Sequence, residues 1–415
     1  MREPVRSLFV LLAAVVLGGS GVAGGATAAL PPLDAAAVAT AVRQAPGGSV
    51  LGILATAENT AEDTVEATAD NTVEATVEAT AEDTAEGRDG QVRVTAGRAN
   101  ATTSQPVRAD GRFRIASITK TFVATVILQL AAEHRFGIDE AVQRFLPGAL
   151  PASYPPITVR QLLQQTSGIA DYGREIMVTP DQVLRDRWRH WDPRGLVATA
   201  TAHPLAFPPG TRLDYSNTNY VLLGMLIHAV TGRPWGEEVR TRLLQPLHLT
   251  ETTVPGDDPG ILGPHANGYV TVTRDDRPVL VDATEYNASW ADAAGEMISS
   301  ARDLHAFFAA LLAGRLLPAD LLAQMLRPYP GGTLGGIAGY GLGIMTLRMP
   351  PECGGQVLYG HGAGIVGYAG MSFASRDGRR SLVISVNTTA FDDDSTSLPK
   401  LLAITQVTFC GRAGA

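Results

Sequence analysis

The chain reads as an α+β fold. An antiparallel sheet built from the two chain ends and flanked by helices meets a mostly helical lobe, leaving a cleft between them. Three observations predict it. Segments of strand character lie at the two ends, before Asn100 and after Gln356. Segments with apolar residues at helical spacing fill the middle. The 415 residues, 45% hydrophobic and 18% charged, suffice for a large core, in one domain or in two coupled lobes.

The elements follow in chain order. Arg2 and Arg6 precede an apolar run, Leu8 to Leu17, and small residues then lead to Ala26-Thr27-Ala28. That pattern reads as a secretory signal peptide over residues 1–28, so the protein is expected to be secreted, extracellular or wall-associated. A membrane anchor is the alternative, but a span needs about 20 apolar residues. The working domain is expected over residues 29–412. "SVLGILATA" and "DGQVRVTAGRA" both have strand character, with Asp89-Gly90 as turn chemistry. Between them, residues 56–87 are eight near-repeats of a threonine-led tetrapeptide with ten acids and no base. On a helix a four-residue period would stack acids one turn apart, so the repeat is expected to be a disordered insertion grown between two strands of a hairpin.

"SITKTFVATVILQLAAEHR" has helical spacing after a serine that can cap. "ITVRQLLQQTSGIADY" reads as a helix stopped by Ser167-Gly168. "FPPGTRLDYSNTNYVLLGMLIHAVTG" is a loop, a polar turn and a helix ending at Gly232. "SARDLHAFFAALLAGRLL" is a helix with Ser300 as N-cap. "VLYGHGAGIVGYAGMSFASRDGRRSLVISVNTT" reads as strand, Asp377-Gly378 hairpin, strand, and "TSLPKLLAITQVTFC" as a terminal helix.

Charge and cysteine narrow the function. Without the repeat, the net charge of −8 becomes −8 + 10 = +2, so no basic stripe argues for nucleic acid. No further run is long enough to span a membrane. Two cysteines, Cys353 and Cys410, suggest one disulfide in an exported chain, with two free buried thiols as the alternative. No H-E-x-x-H and no close His/Cys cluster points to a metal, and no cofactor is expected. No G-x-S-x-G elbow is present, which argues against an α/β-hydrolase.

The chain holds 33 basic residues, of which only Lys120 and Lys400 are lysine, leaving 31 arginines. Position 120 therefore asks for something arginine lacks. Ser117 lies one helical turn away. A serine needs a base to become a nucleophile; lysine can release its proton, and arginine cannot. A helix N-terminus adds backbone N–H groups near a developing oxyanion. Ser397-Leu398-Pro399-Lys400 repeats the spacing, but there Ser397 is expected to cap a helix with Pro399 in its first turn, and Lys400 to be solvated. Tyr215 and Asn217 put a phenol and an amide on one polar turn. His361 stands in a glycine-rich strand that another backbone or a ligand could approach. Read one by one, each of these also fits an ordinary structural role.

The order serine–lysine, tyrosine-x-asparagine, histidine-glycine resembles the penicillin-recognising serine hydrolases: class C β-lactamases and secreted actinomycete D-alanyl-D-alanine carboxypeptidases. "PGT", "LLQQTSGI", "HANGY", "SARDL", "YGLG" and "FASRDG" resemble that family's framework, from about Val38 to Cys410. The resemblance, nearest to the carboxypeptidases, implies the β-lactamase/transpeptidase-like fold and a D-alanyl-D-alanine carboxypeptidase-like hydrolase with an acyl-enzyme on Ser117, its small-molecule or peptide substrates being peptidoglycan peptides or β-lactams. It implies that Lys120 and Tyr215 move protons, that Asn217 orients the acyl side chain, and that the N–H groups of Ser117 and Gly364 form an oxyanion hole. His361 would assist proton relay and anion binding. Gly362, Ala363 and Trp290 would line the substrate cleft, and Cys353–Cys410 resembles a disulfide of the carboxypeptidases.

Departures stand beside the likeness. The hydroxyls that would grip a substrate carboxylate are missing at Gly362 and Gly364, and Ala363 adds a methyl that could crowd the strand. Arg348 lies several residues past "YGLG", Gln165 replaces a common histidine, and Glu296 replaces a common small residue. An esterase, amidase or β-lactamase of the same fold is one alternative. A non-catalytic binding protein is another, of a different class.

Overall fold

The computed structural model describes residues 30–59, 75–76, 84–88, 90–334, 338–389 and 394–411. The expected signal peptide and most of the acidic repeat lie outside the described residues. The strands in chain order are β1 (Val50–Asn59), β2 (Ala75–Thr76), β3 (Thr84–Arg88), β4 (Gln91–Gly97), β5 (Arg112–Arg114), β6 (Tyr269–Arg274), β7 (Arg277–Asp282), β8 (Ile298–Ser300), β9 (Ala338–Tyr340), β10 (Met345–Arg348), β11 (Val357–Ile365), β12 (Tyr368–Ala374) and β13 (Arg380–Thr388). The helices are α1 (Ala35–Arg43), α2 (Thr119–Ala132), α3 (Val159–Leu163), α4 (Pro180–Asp186), α5 (Pro193–Thr201), α6 (Thr218–Thr231), α7 (Trp235–Val239), α8 (Ala301–Leu312), α9 (Ala319–Leu326) and α10 (Asp394–Cys410).

The main sheet runs β2-β3-β4-β1-β13-β12-β11-β10-β9, with antiparallel neighbours throughout. The two chain ends do build it together: β1 pairs β13 with Ile53 opposite Val386, and β4 with Ile53 opposite Ala96. The β1–β4 hairpin is therefore present. The ends of the repeat are strand rather than loop, because Thr56–Asn59 complete β1, and Thr84–Gly87 lie in β3, which pairs with β4. One apolar cluster fills the helical lobe and runs under Ser117; a second lies between the sheet, α1 and α10.

Local chemistry sets the boundaries. Thr158 and Thr179 form capping boxes with Gln161 and Gln182 at α3 and α4. Ser300 caps α8 by accepting from the Asp303 amide, as expected. Gly232 ends α6 in the left-handed region. Two expectations need correction. The stretch read as one strand after Val357 is itself a hairpin, β11–β12, because Val366-Gly367 turns the chain, with φ of 77° at Gly367. α10 starts at Asp394, so Ser397 and Pro399 are inside it. Lys400 is half-buried rather than fully solvated: its Nζ donates to Ala45 O and Gly47 O, each at 2.7 Å, tying α10 to the turn after α1.

Two contacts hold the sheet against the helical lobe. Gly343 of "YGLG" (φ 79°) packs where a Cβ would lie 2.2 Å from Ala124 Cβ and 2.7 Å from the Tyr220 hydroxyl, and its carbonyl accepts from Thr121 Oγ1 at 2.8 Å. Gly268 of "HANGY" meets Gly367 backbone to backbone, where a Cβ on either would come within 3.0 Å of the other. Cys353 and Cys410 form the expected disulfide, Cα atoms 4.8 Å apart, joining the segment before β11 to the end of α10.

Candidate active site

Ser117 sits where short β5 delivers the chain into α2. β5 pairs β8, and the Ile115 amide donates to Met297 O at 2.9 Å. Ala116 then adopts φ of 45°, unusual for a non-glycine residue. Such conformations cost about 1–3 kcal/mol and persist where the surroundings hold them. A 3₁₀ turn, Ala116–Ile118, carries Ser117, and Lys120 follows in the first turn of α2. Both are buried, Lys120 completely.

Lys120 Nζ contacts Ser117 Oγ at 2.8 Å, Asn217 Oδ1 at 2.8 Å and Ala294 O at 2.6 Å. The last two partners can only accept, so each takes an N–H. A neutral amine then has its lone pair left for the serine O–H. Burial pushes the lysine well below its ordinary pKa, against the opposing charge of Asp171. The amine is thus arranged to take the Ser117 proton.

Tyr215 and Asn217 come from the turn that opens α6. The Tyr215 ring lies 4.9 Å from Lys120 Nζ and edge-on to Tyr340. Burial drives its pKa well up and Tyr340 adds to this, while a hydrogen-bonding interaction with Ser117 works the other way. Tyr215 is therefore a phenol, not a phenolate. Gln165 holds the turn: its Oε1 accepts from the Ser216 amide at 3.1 Å and Asn219 Nδ2 at 2.5 Å.

β11 supplies the other wall. β10 pairs β11 only as far as Gly360, opposite Met345. On that side His361–Ile365 runs on past β10 and lies beside the Ser117 turn. This edge contains Gly362, Ala363 and Gly364, and the β11–β12 register is unbroken through Ala363, which faces Gly370. His361 is fully buried. Its Nδ1 contacts Gly362 O at 2.7 Å, which requires an N–H there, so Nε2 accepts from the Tyr340 hydroxyl at 3.1 Å. Burial, with the Lys120 charge, pushes its pKa down to about 3. A neutral ring occupied in this way supplies no positive charge, and it buttresses Tyr340 and Tyr215. Trp290 is partly buried, and its carbonyl accepts the Tyr172 hydroxyl at 2.7 Å.

Sequence reasoning brought out Ser117, Lys120, Tyr215 and Asn217, and these four come together. It missed Asp171, Ala294 and Tyr340. Ala294 contributes only a carbonyl, which leaves no trace in residue type. Asp171 had a signal, an acid two residues before a glycine in "ADYG", the pattern of a side-chain-capped turn. Arg348 is exposed and donates to Gly355 O. Glu296 is buried with Asp292; burial raises both carboxyls, Asp292 to about 6, and the Asp292 charge adds to the rise of Glu296. Among the described residues no group of three His, Cys, Asp or Glu could hold a metal, and no helix is long and apolar enough to cross a membrane.

A family model described as Beta-lactamase matches residues 71–406. The chain belongs to the beta-lactamase family. Among curated members, penicillin-binding protein 4* of Bacillus subtilis (strain 168) is 27% identical over 317 residues, 73% of this chain and 66% of that protein. Protein flp of Staphylococcus aureus (strain COL) is 33% identical over 174 residues, 40% of this chain and 33% of that one. The chain thus spans just under two thirds of the first and one third of the second. Among solved structures, a D-stereospecific amidohydrolase from Streptomyces sp. is 37% identical with a TM-score of 0.75, covering 92% of this chain and 100% of that one. D-amino acid amidase from Ochrobactrum anthropi SV3, in complex with L-phenylalanine amide, is 26% identical with a TM-score of 0.69, covering 89% and 98%. Membership of the beta-lactamase family accords with the large antiparallel sheet flanked by helices.

Proposed function

We propose that this protein hydrolyses amide or ester bonds at the carboxyl side of D-amino acid residues through an acyl-enzyme on Ser117, and prefers an uncharged leaving group to a free D-alanyl carboxylate. Ser117 Oγ attacks the carbonyl carbon as Lys120 takes its proton, and the oxyanion is received by the Ser117 and Gly364 N–H groups. The proton passes to the leaving nitrogen or oxygen by way of Lys120 and the Tyr215 phenol, and that bond breaks. A water then attacks the ester carbonyl and gives one proton to the base, which passes it to Ser117 Oγ as the acyl–Oγ bond breaks and the acid leaves.

The observation that carries the preference is the β11 edge. Gly362, Ala363 and Gly364 offer backbone alone, and Arg348 is engaged with Gly355 O. A terminal carboxylate would find neither the hydroxyls nor the guanidinium that could pair with it. The amidases among the structural neighbours support the same substrate class. The carboxypeptidase reading keeps the support of the penicillin-binding relative. We also propose that the protein works outside the cytoplasm, after removal of residues 1–28.

The test is turnover by the purified mature protein, beside Ser117→Ala, of D-phenylalanine amide, its L-enantiomer, a D-alanyl-D-alanine peptide and a penicillin, with intact mass recorded. Faster release from the D-amide than from the peptide, lost in Ser117→Ala, is expected. Exclusive turnover of the D-alanyl-D-alanine peptide would return the assignment to a carboxypeptidase.

A further inference from the structure

Beneath the serine–lysine–tyrosine constellation lies a carboxylate that none of the sequence motifs contains. Asp171 is buried at the start of a short 3₁₀ turn, Tyr172–Arg174. Its Oδ1 accepts from the Gly173 amide at 3.0 Å and the Asn217 amide at 3.2 Å, and its Oδ2 accepts from Asn217 Nδ2 at 3.3 Å. One carboxylate thus holds Asn217 by both main chain and side chain. That grip fixes which way the amide faces, because only the Nδ2 end can donate to Asp171, so Oδ1 must point at Lys120. Neighbouring bonds lock the two segments together: Ser216 Oγ and Thr218 Oγ1 donate to Ala170 O, and the Tyr172 amide donates to Thr218 Oγ1.

We infer that Asp171 is a positioning residue for acyl transfer, which orients the Asn217 amide toward Lys120 and sets a negative charge opposite that lysine. This rests on the serine-hydrolase reading above and adds a residue to it. The charge and the orientation act on the same event. The amide oxygen takes one N–H of the amine, leaving its lone pair for Ser117. Burial lowers the Lys120 amine and raises the Asp171 carboxyl, while the charge of each favours the ionised form of the other. The other titratable groups facing Asp171 are Arg174 on its own turn, Tyr172, and Tyr215 from the turn before α6.

The two-lysine composition makes the test direct. In protein labelled with ¹³C at the lysine ε-carbon, Lys120 and Lys400 give two signals, assigned with Lys400→Arg. Asp171→Asn removes the charge, and Asp171→Ser removes it while keeping a residue able to cap the 3₁₀ turn, should the first variant not fold. In both, the Lys120 titration midpoint should fall by about one pH unit. The acid limb of Ser117 acylation by an activated ester should move the same way, and its plateau rate should drop about tenfold or more. Asp171→Glu should bring the midpoint back toward the wild type. An unmoved midpoint and acid limb in the folded neutral variants would overturn the inference and leave Asp171 a cap. A wild type that no activated ester acylates would instead overturn the hydrolase reading, and the lysine titration would still decide the role of Asp171.

Discussion

Lys120 keeps a proton acceptor where water cannot reach it. Arginine at 120 would preserve charge and most of the length but could not release a proton. Lys120→Arg is therefore expected to cut the Ser117 acylation rate by about 10²–10⁴-fold, measured by burst kinetics with an activated ester. Near-normal acylation would remove lysine as the base. Glu296 makes a prediction of opposite character. Its carboxyl and that of Asp292 both titrate higher in the folded protein than unfolded, because burial resists their charge. Above the ordinary carboxyl range near pH 4 the unfolded chain ionises first, so stability falls as pH rises, through about 6 for Asp292 and further for Glu296. Glu296→Gln should thus raise the melting temperature by a few degrees at pH 8, with the gap closing toward pH 4. Equal melting curves at both pH values would show that the carboxyl is no burden. What could be read of the site in advance follows the same division. Side chains whose chemistry is unusual for the chain, such as one of two lysines, announce themselves. A carbonyl from Ala294, or a carboxylate that acts through Asn217, is set by backbone placement and does not.

The β1–β4 hairpin shows how an element can carry an insertion at little cost. Strand pairing is regular from Gly52 opposite Gly97 to Glu58 opposite Gln91. Deleting residues 60–88 would therefore leave Asn59, Asp89 and Gly90 as a three-residue loop, a length and chemistry that close a hairpin. The shortened protein should fold and acylate Ser117 at the wild-type rate, as read by circular dichroism and burst kinetics. Loss of folding would mean that β3, on the outer edge of β4, is required. A spacer that repels anionic wall polymers would alter wall binding and not turnover, so equal sedimentation of both forms with isolated cell walls would rule that role out for the repeat. The same region shows where periodicity misleads. A four-residue repeat of threonine, small residue and acid reads as solvated chain, yet its ends join the sheet because β1 and β4 give them partners.

At the scale of the whole molecule, the architecture was legible because strand-forming segments sit at both termini, and only a shared sheet can bury them. The β11–β12 turn was not, since Gly367 is one of five glycines between 360 and 370 and does not stand out among them; the chain bends there where Gly268 presses against it. The Cys353–Cys410 bond closes a loop of 57 residues in separation. By the chain-entropy model its loss costs about 4 kcal/mol. The Cys353→Ser/Cys410→Ser protein should show a clearly lower urea midpoint, with an unchanged midpoint counting against the model.

The position of β1 between β4 and β13 has a consequence in time. Ser117 and Lys120 are made early, but β11, the wall beside them, and β13, the partner of β1, are near the end of the chain. The sheet cannot close while the last quarter of the polypeptide is still to come, and non-local pairing of this kind is slow. A chain still in synthesis holds Ser117 and Lys120 without the strand that completes the cleft.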